Sequence, residues 1–302
     1  MQSEISGVVI IDKHEGVTSH DIVFKIRKLF GTKKVGHTGT LDPMATGVLP
    51  VLIGRAAKAC EYLICEDKAY EATLQLGITT DTEDTSGAVL TKCDSLPTKE
   101  QFFDACKRFV GDIMQTPPMY SALKVNGQKL VDLARKGIEI ERQARQIHIS
   151  EIVPSVVDEE KGIYKISVEC SKGTYIRTLC ADIGTYLGCG ASMSALRRTK
   201  SGNFVINYAH TIEEIEKMSY DERVALLMPT ESLFAELEAV VLSDFYARLC
   251  RSGCEIYQKK IGSSLPVGTK VRLCDKDGFF ALGEVREYPD GTAIKAVKLF
   301  VL

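Results

Sequence analysis

The sequence predicts an α+β protein: a mixed, largely antiparallel sheet flanked by helices, then a small all-β unit at the C-terminal end. Three patterns carry that expectation. Residues 68–77 (KAYEATLQLG) and 164–170 (YKISVEC) alternate apolar and polar side chains, the period-two mark of half-buried strands. Thr18 with Asp21, Thr98 with Gln101 and Thr211 with Glu214 have the spacing of a capped helix start. Beyond residue 235 the chain changes to short strands split by Asp277-Gly278 and Asp290-Gly291, dipeptides that suit tight hairpins. Two domains are therefore expected, 1–235 and 236–302.

In chain order, residues 7–13 (GVVIIDK) read as a short buried strand ending in charge. Glu15-Gly16 makes a turn. Thr18 then caps a helix whose Ile22, Ile26, Leu29 and Phe30 share one face, and Gly31 ends it. Residues 48–53 (VLPVLI) form a strand-like apolar run, and residues 54–63 a short helix. Residues 80–87 (TDTEDTSG) are acidic and turn-like. They lack the spacing of a calcium loop, so a polar loop is expected. Phe102, Cys106, Phe109 and Val110 mark the next helix face. Pro117-Pro118-Met119-Tyr120 reads as a rigid extended segment with exposed aromatics. Residues 146–149 pair with 164–170 as antiparallel strands. Gly173-Thr174 then leads into a helix with Ile176, Leu179, Cys180, Ile183 and Leu187 on its core face. Pro229 and residues 231–238 look like a boundary. Residues 271–274, 279–285 and 293–301 are the strands of the small unit.

Balanced charge, 38 basic against 40 acidic residues with a formal net of −2, does not advertise a nucleic-acid binder. Local charge is less even. Lys25, Arg27, Lys28, Lys33 and Lys34 form one basic cluster, Arg142 with Arg145 a second, and Arg197-Arg198-Thr199-Lys200 a third. On charge alone each is a solvated face. The ten cysteines contain no Cys-x-x-Cys pair and read as buried thiols. Cys250 and Cys254 could offer two metal ligands, but no second pair stands nearby, so no metal is expected. No charged stretch leads into an apolar core at the N-terminus, and no apolar run approaches about eighteen residues. A cytoplasmic protein without membrane contact is expected.

The chemistry concentrates in residues 35–49, VGHTGTLDPMATGVL. One carboxylate, Asp42, stands among three glycines, three threonines and a proline. The proline pushes Asp42 out of the α region, and the glycines permit tight turns, so Asp42 is expected on a stiff exposed loop. This string resembles the catalytic-loop signature of the TruB family of pseudouridine synthases, which make pseudouridine at position 55 of tRNA. Residues 171–179 (SKGTYIRTL) are the second strong match, and residues 115–122 (QTPPMYSA), 124–127 (KVNG) and 195–202 (ALRRTKSG) also resemble the family. One departure is His14, which stands where the family has a proline after the lysine of the first strand. The final strands resemble a PUA-type RNA-binding domain.

The resemblance implies the pseudouridine synthase fold and roles for six residues. Asp42 would be the essential catalytic group, as nucleophile or base at the ribose or uracil. Arg177 would pair with it, an opposite charge that favours the carboxylate form. The sequence itself hints at such a partner, because a cation in the first turn of a helix opposes the macrodipole by roughly 0.3–1 kcal/mol. Tyr70 matches the tyrosine of the family's Lys-x-Tyr motif. It would stack on the uracil and help remove the C5 proton. Tyr175 and Leu196 would shape the uracil pocket, and His37 would fill the space left by the flipped base. The implied partner is the T-arm stem-loop of tRNA, the implied cofactor none, and the expected state a monomer. A tRNA-folding role could accompany catalysis.

No P-loop, dinucleotide fingerprint, H-E-x-x-H or G-x-S-x-G occurs, which argues against nucleotide-driven, dinucleotide, zincin and hydrolase chemistry. Three other readings compete. A non-catalytic RNA-binding protein could use the same scaffold. A guide-RNA-dependent relative would act on ribosomal RNA. A glycosidase-like hydrolase needs paired carboxylates, and no second carboxylate sits in a motif like that around Asp42.

Overall fold

The computed structural model describes residues 5–63 and 67–301; Cys65 lies outside them. Strand β1 (Gly7–Lys13) leads to helix α1 (Ser19–Leu29). Thr18 caps α1 reciprocally: its hydroxyl accepts from the Asp21 N–H at 3.1 Å, and the Asp21 carboxylate accepts from the Thr18 N–H at 2.9 Å. Next come β2 (Val35–His37), β3 (Thr46–Ile53), α2 (Cys60–Leu63) and β4 (Lys68–Leu76). A small hairpin, β5 (Ile78–Thr80) with β6 (Val89–Lys92), precedes α3 (Lys99–Arg108) and β7 (Gly111–Gln115). A second hairpin, β8 (Lys124–Val125) with β9 (Gln128–Lys129), runs into α4 (Leu130–Ala134). Then follow β10 (Arg145–Asp158), β11 (Ile163–Cys170), α5 (Ile176–Tyr186), β12 (Ala191–Ser201), β13 (Phe204–Val205), α6 (Ile212–Lys217) and α7 (Tyr220–Ala225).

Among the described residues, nine strands form one sheet in the order β1-β3-β12-β4-β11-β10-β7, with β2 beside β3 and β13 beside β12. Its one parallel pair is β3 with β12, where Arg197 lies opposite Thr46 and Arg198 opposite Gly47. The sheet is therefore mixed and largely antiparallel. One face buries Ile22 and Ile26 of α1, Phe102 and Cys106 of α3, and Leu179, Cys180 and Ile183 of α5 against the strands. Each fully buried side chain of this size contributes roughly 1.5–3 kcal/mol. This packing fixes α5, and with it Arg177, relative to the loop between β2 and β3.

The C-terminal unit comprises β14 (Glu238–Val241), α8 (Asp244–Arg251), β15 (Ile256–Tyr257), α9 (Gln258–Ile261), β16 (Lys270–Asp275), β17 (Gly278–Tyr288) and β18 (Gly291–Leu299). Its five strands run in the order β14-β16-β17-β18-β15. The expected hairpins are present, with Gly278 and Gly291 at φ 108° and 117°, values that favour glycine. The β unit also carries the two short helices. Helix α8 buries Ala247 and Cys250 against the sheet, a pattern too brief to read in sequence alone. Cys250 is thus a core residue while Cys254 is exposed, so the pair does not present a metal site. No helix among the described residues is long and apolar enough to cross a membrane.

Candidate active site

Asp42 sits on the loop between β2 and β3, as its glycine and proline neighbours require. The loop is pinned from several sides. The Ser19 hydroxyl receives the Leu41 N–H at 2.9 Å. The Ala45 N–H donates to the Asp42 carbonyl at 3.0 Å, and the Gly16 N–H to the Pro43 carbonyl at 2.9 Å. Lys13, fully buried at the end of β1, donates its ammonium to the carbonyls of His14, Val17 and Pro43 at 2.8–3.2 Å. Burial lowers the Lys13 pKa to about 8, against the opposing pull of the Asp42 carboxylate. His14 leaves the Glu15-Gly16 turn intact, with Gly16 at φ 86°.

Arg177 reaches this loop from the first turn of α5. Its Nε lies 3.0 Å from Asp42 Oδ2; the guanidinium side is 6% exposed and the carboxylate side 39%. Its other nitrogens donate to the carbonyls of Thr82 at 3.0 Å and Tyr120 at 2.7 Å. A second carboxylate, Asp84, stands 3.7 Å from Nη1 and is almost fully buried. The loop read from sequence as merely polar therefore closes behind the arginine. Asp84 Oδ1 accepts from the Ser86 N–H and the Thr82 hydroxyl at 3.0 and 2.9 Å, which leaves Oδ2 facing Arg177.

These groups border a cavity of about 200 Å3. Asp42, Tyr70, Tyr175, Arg177 and Leu196 all line it, brought together from four segments far apart in sequence. Tyr70 points inward from β4 and is 8% exposed. Burial pushes its phenol above the ordinary value, while the nearby Arg198 charge opposes this. Tyr175 is fixed by its backbone, whose N–H and carbonyl both bond the Gln115 side chain, at 2.8 and 3.0 Å. His37 does not line the cavity. It lies on β2 opposite Val51, and burial lowers its imidazole pKa, next to the Arg198 charge.

Arg198 departs most from the sequence reading. Read as part of a solvated basic cluster, it is 1% exposed. It donates to the carbonyls of Gly39 at 2.9 Å and Val48 at 2.7 Å, on either side of the catalytic-loop candidate. Its backbone pairs with Tyr70 across β12 and β4. Gly47 lies opposite Arg198 on β3 at φ 101°, so close that an added Cβ would run into the Arg198 carbonyl. Arg197 faces the other way and binds Asp12 with two hydrogen bonds, at 2.7 and 3.1 Å. The alternation of β12 was the available signal, because it sends neighbouring arginines to opposite faces.

Comparison with known proteins gives this geometry a family. Residues 27–176 match the TruB family pseudouridylate synthase N-terminal domain, and residues 177–235 match the tRNA pseudouridylate synthase B C-terminal domain. The chain is 40% identical to the tRNA pseudouridine synthase B of Clostridium tetani, over 98% of this chain and 100% of that one. It is 41% identical to the enzyme of the same name from Neisseria meningitidis serogroup A, over 98% and 94%. The chain belongs to the TruB family. It is a pseudouridine synthase with the mixed α+β fold of that family. Among solved structures it resembles a chain of a Cbf5–Nop10–Gar1 complex, with a TM-score of 0.74 at 26% identity, over 98% of this chain and 85% of that one. It also resembles a chain of an H/ACA RNP bound to a substrate RNA containing 2′-deoxyuridine, at 25% identity and a TM-score of 0.72, over 98% and 85%. In this TruB chain, Arg177 stands where the two matched family regions meet.

Proposed function

We propose that this pseudouridine synthase acts on tRNA, at uridine 55 of the T-arm, as a cytoplasmic monomer without cofactor or metal. The observation that carries the reading is the Asp42–Arg177 pair at the edge of a cavity closed by Tyr70 and Leu196. The N1–C1′ bond of the uridine must break, the uracil must rotate, and C5 must bond to C1′. Asp42 supplies the carboxylate that acts on the ribose or uracil. Arg177 holds it in place and is itself fixed by two backbone carbonyls. Tyr70 stacks on the base and helps remove the C5 proton. Tyr175 and Leu196 shape the pocket. Extruding the base from the RNA stack costs a few kcal/mol. His37, outside the cavity, fills the vacated stack in this reading. The basic residues Lys25, Arg27, Lys28 and Lys33 of α1 and the turn after it supply phosphate contacts, and the C-terminal β unit adds a PUA-like surface.

The names of the curated relatives support tRNA as substrate over a guide-directed RNA. The assay that decides is incubation of the purified protein with a uridine-containing T-arm stem-loop, without guide RNA or cofactor. Pseudouridine should form at the position equivalent to 55. Asp42→Asn should abolish product while RNA affinity stays within a few-fold. Turnover by Asp42→Asn near the wild-type rate would remove Asp42 from the mechanism. Product formed only when a guide RNA is added would favour the guide-dependent reading.

A further inference from the structure

We propose that the Ser121 hydroxyl donates a hydrogen bond to a carbonyl of the uracil bound in the cavity. This rests on the reading of the cavity as a uridine site. Ser121 lines the cavity, is 5% exposed, and its Oγ is buried with no hydrogen-bond partner among the described residues. Burying a hydroxyl unpaired costs free energy, so such a group marks a place where a partner arrives. Its position is not accidental slack. The Ser121 N–H donates to the Met119 carbonyl at 2.9 Å, and its own carbonyl accepts from the Val131 N–H at 3.1 Å. The preceding carbonyl, of Tyr120, is held by Arg177 at 2.7 Å. Ser121 is thus in register with the Asp42–Arg177 pair.

The other polar side chains around the cavity are either engaged or partly open to solvent, as Thr40 and Tyr175 are. The Thr174 hydroxyl donates to the Ser171 carbonyl at 2.9 Å. Both backbone groups of Tyr175 bind Gln115, and the buried Tyr70 phenol lies near the Arg198 charge. Thr40 is exposed and open to water. Ser121 is left as the buried, uncommitted hydrogen-bonding side chain.

Uracil offers it a suitable partner. The ring carries O2 and O4 symmetrically about N3. Turning it over about the N3–C6 line exchanges N1 with C5 and O2 with O4. A hydroxyl aimed at one carbonyl position therefore meets a carbonyl both before and after the base rotates. It can bind the ring in both the starting and the rotated orientation, releasing one carbonyl as the ring turns and taking up the other.

The test pairs Ser121→Ala with stem-loops carrying uridine, 2-thiouridine or 4-thiouridine at the target position, since sulfur is the poorer acceptor. Single-turnover isomerisation of uridine should slow roughly three- to tenfold in Ser121→Ala. Wild type should slow on one of the thio substrates, and Ser121→Ala should show no further loss on that substrate. The thermal midpoint of Ser121→Ala should not fall, because the lost hydroxyl had no partner in the fold. A wild-type rate on uridine, or losses that multiply on both thio substrates, overturns the proposal. So does a lowered midpoint accompanied by multiplied losses, which would assign the hydroxyl to the fold. A wild type that converts no uridine at all would overturn the functional reading first, and this contact with it.

Discussion

Arg177 is one cation between two anions, and the two are not equivalent. Asp42 is more than one-third exposed and faces the cavity, whereas Asp84 is buried behind the guanidinium. Because Arg177 also binds the Thr82 and Tyr120 carbonyls, it cannot follow Asp42 if the loop moves. Asp84 thus completes a rigid socket, and its charge balances a cation that is 6% exposed. Asp84→Asn keeps the shape and removes the charge. Turnover should fall about tenfold or more, equivalent to about 1.4 kcal/mol in the barrier, with RNA affinity unchanged. Single-turnover rates and filter binding separate the two. A loss of affinity at an intact rate would restrict Asp84 to folding its loop. Asp42 was legible in the sequence because glycine and proline constrain the backbone locally. Asp84 was not, because residues 80–87 hold several acids and only the arrival of Arg177 decides which one is buried.

At the scale of elements, α5 carries Arg177 at its start and a half-buried acid, Asp182, further along, with half-buried Glu83 set against it from the loop after β5. Thr178 donates to Glu83 Oε2 at 2.6 Å, and Glu83 sits in a turn at φ 63°, an unusual conformation for glutamate. Burial, then the nearby Glu83 carboxylate, raises the Asp182 pKa from 3.8 to about 6. Glu83 is itself raised by burial, against the Thr178 hydrogen bond and the Arg177 and Arg142 charges. The folded chain therefore holds the Asp182 proton more tightly than the unfolded chain does. Its contribution to stability is full below about pH 4 and is lost as the pH rises towards 6. Denaturant melts at a series of pH values should show Asp182→Asn gaining on the wild type across that window, with a constant difference above it. A difference independent of pH would mean that Asp182 ionises normally in the folded state. The helix itself was readable from Ile176, Leu179, Cys180 and Ile183. The environments of Asp182 within it and of Glu83 beside it were not, since hydrophobic periodicity is silent about which polar residues become half-buried.

For the molecule as a whole, the hydrophobic pattern located most strands but not their order. Nothing local announces that β3 and β12 meet in parallel, or that Arg198 lies across from Tyr70. Those contacts follow from how the sheet closes, and they build the cavity. The same holds for the seam between the two sheets. Val8, Ile10, Val48 and Leu52 leave the helix-covered core and pack instead with Phe234, Leu282 and Phe300. Phe300 lies 5.6 Å from Phe234 and 5.4 Å from Phe279 between ring centroids, and it is 2% exposed. Arg272 with Glu231 and Lys298 with Glu61 flank this cluster as partly exposed ion pairs, which on their own contribute little. The aromatic cluster thus carries the docking of the C-terminal unit. Phe300→Ala should destabilise the chain by about 3–5 kcal/mol. The loss should fall on the seam rather than on the cavity, which the β2–β3 loop, β4, β12, the start of α5 and Ser121 line without Phe300. Limited proteolysis should then cut between residues 229 and 238 faster than in the wild type, while single-turnover conversion of a minimal stem-loop at low temperature stays near the wild-type rate. If cleavage is unchanged and the stem-loop rate collapses instead, the aromatic cluster supports the cavity directly and the two sheets form one cooperative unit.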